Sequence, residues 1–117
     1  MATGVGLILQ ERNRQIEEEG WTPEHDDEHT GGELPLVAAL FASPVELFRP
    51  KNLPNREEIV YRDPWPKTWA RRWDKRSTVV DIPSRIKLLV KAGALIAAEI
   101  DRLQRKLRAE MGDSQPS

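Results

Sequence analysis

Residues 81–110 read DIPSRIKLLVKAGALIAAEIDRLQRKLRAE. Ile82, Ile86, Leu89, Gly93, Ile96, Ile100, Leu103 and Leu107 alternate spacings of four and three. That alternation is the heptad seam of an amphipathic helix. Asp81 can cap its N-terminus with Pro83 in the first turn, where a missing N–H costs nothing. Arg102, Arg105, Lys106 and Arg108 suit the negative end of the helix dipole. The stretch predicts a helix of about 26 residues, near 39 Å long at 1.5 Å per residue. Ala92, Gly93, Ala94, Ala97 and Ala98 keep its middle slim, so another helix or a ligand can come close.

The rest of the chain offers shorter helices. Leu7–Glu19 holds good helix formers and no breaker, and Gly20 suits the left-handed position after a helix, with Trp21 folding back on the last turn. Glu17, Glu18 and Glu19 oppose the dipole at that end, which calls for basic neighbours or a ligand. Thr22-Pro23-Glu24 restarts a helix, with Thr22 as the cap and Pro23 first inside. Gly31-Gly32 ends that turn, and Glu33–Ala42 is a compact apolar helix. Ser43-Pro44-Val45-Glu46 has capping-box spacing and predicts a short helix through Phe48. Pro50, Pro54, Pro64 and Pro66 make 49–66 an irregular surface loop, and GDSQPS at 112–117 reads as a disordered tail. The expected fold is mainly α: one small helical domain over 1–111, with a long C-terminal amphipathic helix and a Pro-rich middle loop. Because the other apolar helices span about ten residues, they cannot cover the whole seam of the long one. A homo-oligomer is therefore expected.

Composition limits the function classes. The chain has 117 residues, 38% hydrophobic and 32% charged, which is enough for one modest core. It has no cysteine, which removes disulfide frameworks and thiolate chemistry and fits a reducing compartment. No run approaches the roughly 18 apolar residues of a membrane span, so no membrane partner is expected. Residues 1–40 carry nine acids and two bases, whereas 41–117 carry sixteen bases and ten acids. The two halves are expected to neutralise each other within the fold.

Three features bear chemistry. In WPKTWARRWDKR, residues 65–76, Trp65, Trp69 and Trp73 recur every four residues among Lys67, Arg71, Arg72, Lys75 and Arg76. Such a stripe serves as core packing, or as a face on which a base stacks beside cations that meet phosphate. Trp21, Trp65, Trp69, Arg71, Arg72 and Lys75 are the candidate ligand-binding residues. DNA groove reading is disfavoured by a net charge of −1 and the lack of a helix-turn-helix pattern. His25 and His29 stand four apart, a spacing that can hold a metal, but no third ligand follows, and an exposed turn accounts for them. Glu17, Glu18, Asp26, Asp27, Glu33 and Glu99 could converge if the first, third and last helices pack. Carboxylates on facing helices hold Mg²⁺ in all-α nucleotide pyrophosphohydrolases of the MazG type. That makes Glu18, Asp26, Glu33 and Glu99 an alternative metal set, with Mg²⁺ as the cofactor of an alternative enzyme. The Glu-Glu-x-x-Glu and Glu-x-x-Asp hallmarks of that type become Glu18-Glu19 with Thr22, and Glu99 with Arg102. No serine sits in a nucleophile elbow, so no catalytic residue is nominated and a binding role is preferred over an enzyme.

ERNRQIEEEGWTPEHDDEHTGGEL (11–34) and LVKAGALIAAEIDRL (89–103) resemble blocks of a family of small tailed-phage accessory proteins. More distantly, Ile16-Glu17 before Gly20-Trp21 and Asp26-Asp27, and Asp81-Ile82-Pro83 before Lys87-Leu88-Leu89, are similar to the ryanodine-receptor-type repeat. The resemblance implies a phage-encoded protein of the host cytoplasm. Its expected partner is a nucleotide-like anionic ligand or a host protein, and its use is to counteract host defence.

Overall fold

The computed structural model describes residues 2–52, 54 and 59–112. The chain is mainly α. Helix α1 spans Gly4–Glu17, α2 Pro23–Asp27, α3 Glu33–Ala42 and α4 Ile82–Glu110. Strands β1 (Arg49–Asn52) and β2 (Ile59–Arg62) pair antiparallel between α3 and α4. Two 3₁₀ turns follow, Arg71–Trp73 and Arg76–Thr78.

Helix starts and stops follow their local chemistry. The Thr3 hydroxyl accepts from Gly6 N at 3.1 Å, so α1 starts three residues earlier than its apolar pattern suggests. Gly20 adopts φ +73°, and Trp21 N–H donates back to the Gln15 carbonyl at 2.9 Å, closing the helix end as its sequence implies. Thr22 caps α2 through His25 N. Asp81 and Ser84 form a reciprocal capping box on α4, which runs 29 residues.

Three expectations are corrected. Ser43 starts no helix: its Oγ accepts from Val45 N at 3.2 Å, a local turn that competes with helix initiation. The segment 49–66 is not irregular throughout, since Arg49 pairs with Arg62 and Asn52 with Ile59 in a hairpin. Ile59-Val60-Tyr61 supplies the β propensity, and Pro50 is tolerated because both strands of a two-stranded ribbon are edges. Residues 53 and 55–58 of that segment, and 113–117 of the predicted tail, lie outside the described residues. The third correction concerns α4. Its seam side chains other than Gly93 are 42 to 76% exposed in the single chain, and Leu88, Ala92, Leu95 and Ala98 are buried instead.

The core sits where α3 crosses α4. Leu34, Val37, Leu40 and Phe41 of α3 meet Leu88, Ala92, Leu95 and Ala98 of α4, and Trp65 and Trp69 close the layer. Small residues on α4 let its neighbours approach: Ile8 of α1 lies so near Gly93 that a Cβ there would stand 2.5 Å from its Cδ1. Arg85 of α4 donates to the Phe41 carbonyl at 2.9 Å and to that of Ala42, satisfying the C-terminal end of α3. The acidic N-terminal part does meet the basic C-terminal part. Lys91 reaches Glu11 at 3.3 Å and Arg105 reaches Asp27 at 2.8 Å.

Candidate binding site

The corner between α1 and α2 fixes the first aromatic wall of the site. Asp26 is fully buried, and Arg12 donates to its Oδ2 at 2.7 Å and to the Trp21 carbonyl at 3.3 Å. One guanidinium thus ties α1, α2 and the Gly20-Trp21 turn together. An ion pair at this depth holds a geometry strongly, because removing one partner leaves a buried charge alone.

The second wall comes from residues 63–76, which do not form the single helix that a four-residue tryptophan repeat suggests. Trp65 precedes Pro66 and is therefore barred from the helical region, and Asp63 Oδ1 accepts from Trp65 N at 3.1 Å. Asp63 also accepts from Arg71 and Arg76, and Asp74 accepts from Arg76 at 2.7 Å, so the segment is held by a web of ion pairs. Burial works to raise the Asp63 and Asp74 carboxyls, but their arginine and backbone hydrogen bonds outweigh it and hold both below the ordinary carboxylate range.

The two walls meet in an aromatic cluster. Trp21 lies 5.6 Å from Trp69 and 5.8 Å from Trp73, and Trp69 lies 5.4 Å from Trp73, each pair edge to face. Behind them His25 stacks on Trp21 at 6.2 Å, His29 packs against Trp69 at 5.4 Å, and the imidazoles sit 4.8 Å apart. The two histidines are therefore half-buried supports of the indoles and not the exposed turn expected from their hydrophilic surroundings. Burial and the neighbouring His25 lower the His29 pKa against the pull of Glu33, Asp26 and Glu28.

The indoles floor a recess of about 270 Å³ whose walls include Gln15, Phe41 and Leu95 and whose charged residues are Glu11, Arg14, Glu19, Arg72, Lys75 and Lys91. Of the six side chains nominated from sequence, Trp21, Trp69, Arg72 and Lys75 line it. Trp65 and Arg71 do not. Trp65 is a core pillar whose Nε1 donates to the Trp69 carbonyl at 3.2 Å, and Arg71 faces Asp63 at 3.0 Å beside a separate recess under the hairpin.

Charges in the recess divide into engaged and open. Arg14 is held by Glu11 at 2.8 Å and by Glu19 at 2.9 Å, so the basic neighbour that the acidic end of α1 requires is on the same helix. Burial pushes the Glu11 carboxyl up, but Arg14 and Lys91 outweigh it and keep it ionised below its usual value. Among the described residues, Arg72 and Lys75 meet no carboxylate; Arg72 rests 5.7 Å from the Trp73 ring centroid and Lys75 donates to the Arg72 carbonyl.

Two buried polar atoms of lining residues lack partners: Gln15 Oε1 and Trp69 Nε1. Gln15 is 2% and Trp69 4% exposed. An orphaned buried donor or acceptor costs about 1–3 kcal/mol, and four more lie in the corner behind the site: Arg12 Nε, His25 Nδ1, Asp26 Oδ1 and His29 Nε2. Gln15, Arg14, Lys91 and Trp73 were not nominated from sequence. Trp73 carried a signal in the repeat. Gln15 carried none, since nothing in QIEEEGW marks a glutamine that the fold buries.

The alternative metal set does not come together. Asp26 is engaged by Arg12, Glu99 by Arg102 at 2.5 Å, and Glu18 lies 3.7 Å from Arg14. Glu33 accepts from Gly31 N at 3.0 Å. Among the described residues no three His, Asp or Glu side chains gather as metal ligands, and no helix is long and apolar enough to cross a membrane. Comparison of the chain with protein-family models, with curated proteins and with solved structures returns no match.

Proposed function

We propose that the protein binds a nucleotide-like anion in the tryptophan recess and does no chemistry on it. The observation that carries this reading is the meeting of the Trp21, Trp69 and Trp73 indoles with Arg72 and Lys75 in one recess. A planar heterocycle offers such a recess a face to stack against its indoles. Arg72 and Lys75, without carboxylate partners among the described residues, supply attraction for the attached phosphate. At about 270 Å³ the recess lies just below the usual range for small-molecule sites, which suits a base held inside with its phosphate at the rim. In line with its resemblance to small tailed-phage proteins, we place the chain in the cytoplasm of an infected host. There, sequestering a nucleotide would blunt a defence that depends on it.

Melting curves with and without a panel of linear and cyclic mononucleotides test the proposal. A ligand at a hundredfold excess over its Kd raises stability by about 2.7 kcal/mol, a shift of several degrees for a domain of this size. At least one nucleotide should produce such a shift, weakened by added salt. A melting temperature indifferent to every nucleotide at millimolar concentration would refute the proposal.

A further inference from the structure

Helix α4 carries its larger aliphatic side chains on the outside. Seven seam residues, from Ile82 to Leu107, remain 42 to 76% exposed, while the face turned to α1 and α3 is built largely of alanine and leucine. Ile8 fills the notch at Gly93, so the stripe is closed at the one position where α4 has no side chain. Val5 and Leu9 flank Ile8 on α1 and are 81% and 61% exposed, which adds an apolar shoulder.

We infer that this stripe is the docking surface for a second copy of the same chain, α4 packing on α4. Three observations select that occupant. The seam repeats in three-four alternation on either side of Gly93, where Ile8 of α1 supplies the apolar group, and this pattern lets one helix give both knobs and holes to its copy. No seam position carries a charge, so pairing buries no ion. The area is also right: the half-exposed seam amounts to on the order of 700 Å² of apolar surface, close to the roughly 800 Å² per partner of a standard specific interface and above what a monomer ordinarily leaves exposed. Flanking Val90 and Ala97 are small enough for the helices to approach closely. The tryptophan recess is lined by α1, the Gly20-Trp21 turn, Phe41 of α3 and, on α4, the off-seam residues Lys91 and Leu95, so the pairing leaves it open and stands independently of what it binds.

Light scattering at tens of micromolar chain tests this inference. The wild type should weigh about twice the 13.4 kDa chain. Ile96→Glu and Leu103→Glu should each weigh one chain and keep their helical circular dichroism, because both side chains are about half exposed before pairing. As a measurement that does not depend on a disruptive variant, Ile96→Cys in this cysteine-free chain should join two chains through a short thiol crosslinker. Lys87→Cys, off the seam, should not. A monomeric wild type would overturn the inference. So would a dimer that survives both glutamate variants, or crosslinking at position 87 in preference to 96.

Discussion

Trp65 and Trp69 stand four residues apart in the same cationic segment, yet they border recesses of different character. The groups that touch Trp65 are engaged: its indole N–H meets the Trp69 carbonyl, Arg76 lies 5.6 Å from its ring centroid, and Arg71 and Arg76 share Asp63, while Arg49, Lys51, Arg62 and Lys67 of the same recess meet no carboxylate among the described residues. The groups around Trp69 are open. Its indole N–H is buried without an acceptor, Gln15 Oε1 without a donor, and Arg72 and Lys75 face the recess beside three indoles. The difference teaches that a basic aromatic composition does not define a binding face. What sets the Trp69 recess apart is three indoles grouped beside its cations, where the recess at Trp65 has one.

The largest effect should fall on the scaffold side. Trp65→Ala should destabilise the fold by about 3–5 kcal/mol, the cost of deleting a buried aromatic, measured by chemical denaturation. An unchanged denaturation midpoint would mean that Trp65 is not the pillar described. On the open side, Trp73 is only half-buried, and Trp73→Ala should cost about 1–3 kcal/mol of nucleotide affinity by calorimetry. If stability falls as far as for Trp65→Ala while affinity holds, the two regions are not different in kind.

The arginines give a smaller contrast. Arg72→Ala should weaken binding and flatten its salt dependence, and Arg71→Ala should leave affinity within about 0.5 kcal/mol, since an exposed arginine already facing Asp63 contributes little. Equal losses from both would make the whole basic segment one surface.

The smallest effect is the pH dependence of the wall behind the indoles. The folded His29 pKa is lowered from 6.5, so the unfolded chain binds the proton more readily than the native one. Stability should therefore fall as pH drops through 6.5 toward the depressed folded value. Glu11, Asp63 and Asp74, all lowered, lose their stabilising charge only further down, below the 4.5 and 3.8 of the free carboxyls. Melting temperatures taken from about pH 7.5 to about pH 5.5 should decline, and His29→Gln should flatten that decline. An identical slope in the variant would assign it elsewhere.

The helical skeleton was legible because its signals are local. Gly20, Thr22, Gly32 and Asp81 punctuate the chain through their own backbone and capping chemistry, and Glu33–Ala42 lies within the bounds that its neighbours dictate. The hairpin was less legible, since Pro50 and the charges around it mask the Ile59-Val60-Tyr61 run. The inner face of α4 was legible at its alanines, which signal a close approach, but not at Leu88 and Leu95. Periodicity finds the bulkiest stripe, but α1 and α3 pack on the slim one, where Ala92, Ala94 and Ala98 allow close approach. The site was half legible: tryptophans and cations announce themselves, whereas Gln15 matters only because the fold brings it into the same recess as Trp69. That juxtaposition is long-range, and no local pattern encodes it.

Gln15→Leu tests the site most directly, because it should lower affinity with little change in stability. It removes the amide's own bond to Glu11 Oε2 at 3.2 Å together with a carbonyl that lacks a donor, and Glu11 keeps Arg14 and Lys91, so the melting temperature of the free protein should change little. The same substitution takes away a partner from the bound heterocycle, so nucleotide affinity, followed by tryptophan fluorescence, should drop by about tenfold, equivalent to about 1.4 kcal/mol. A variant that is less stable yet binds as tightly as the wild type would contradict the claim that Gln15 belongs to the binding site.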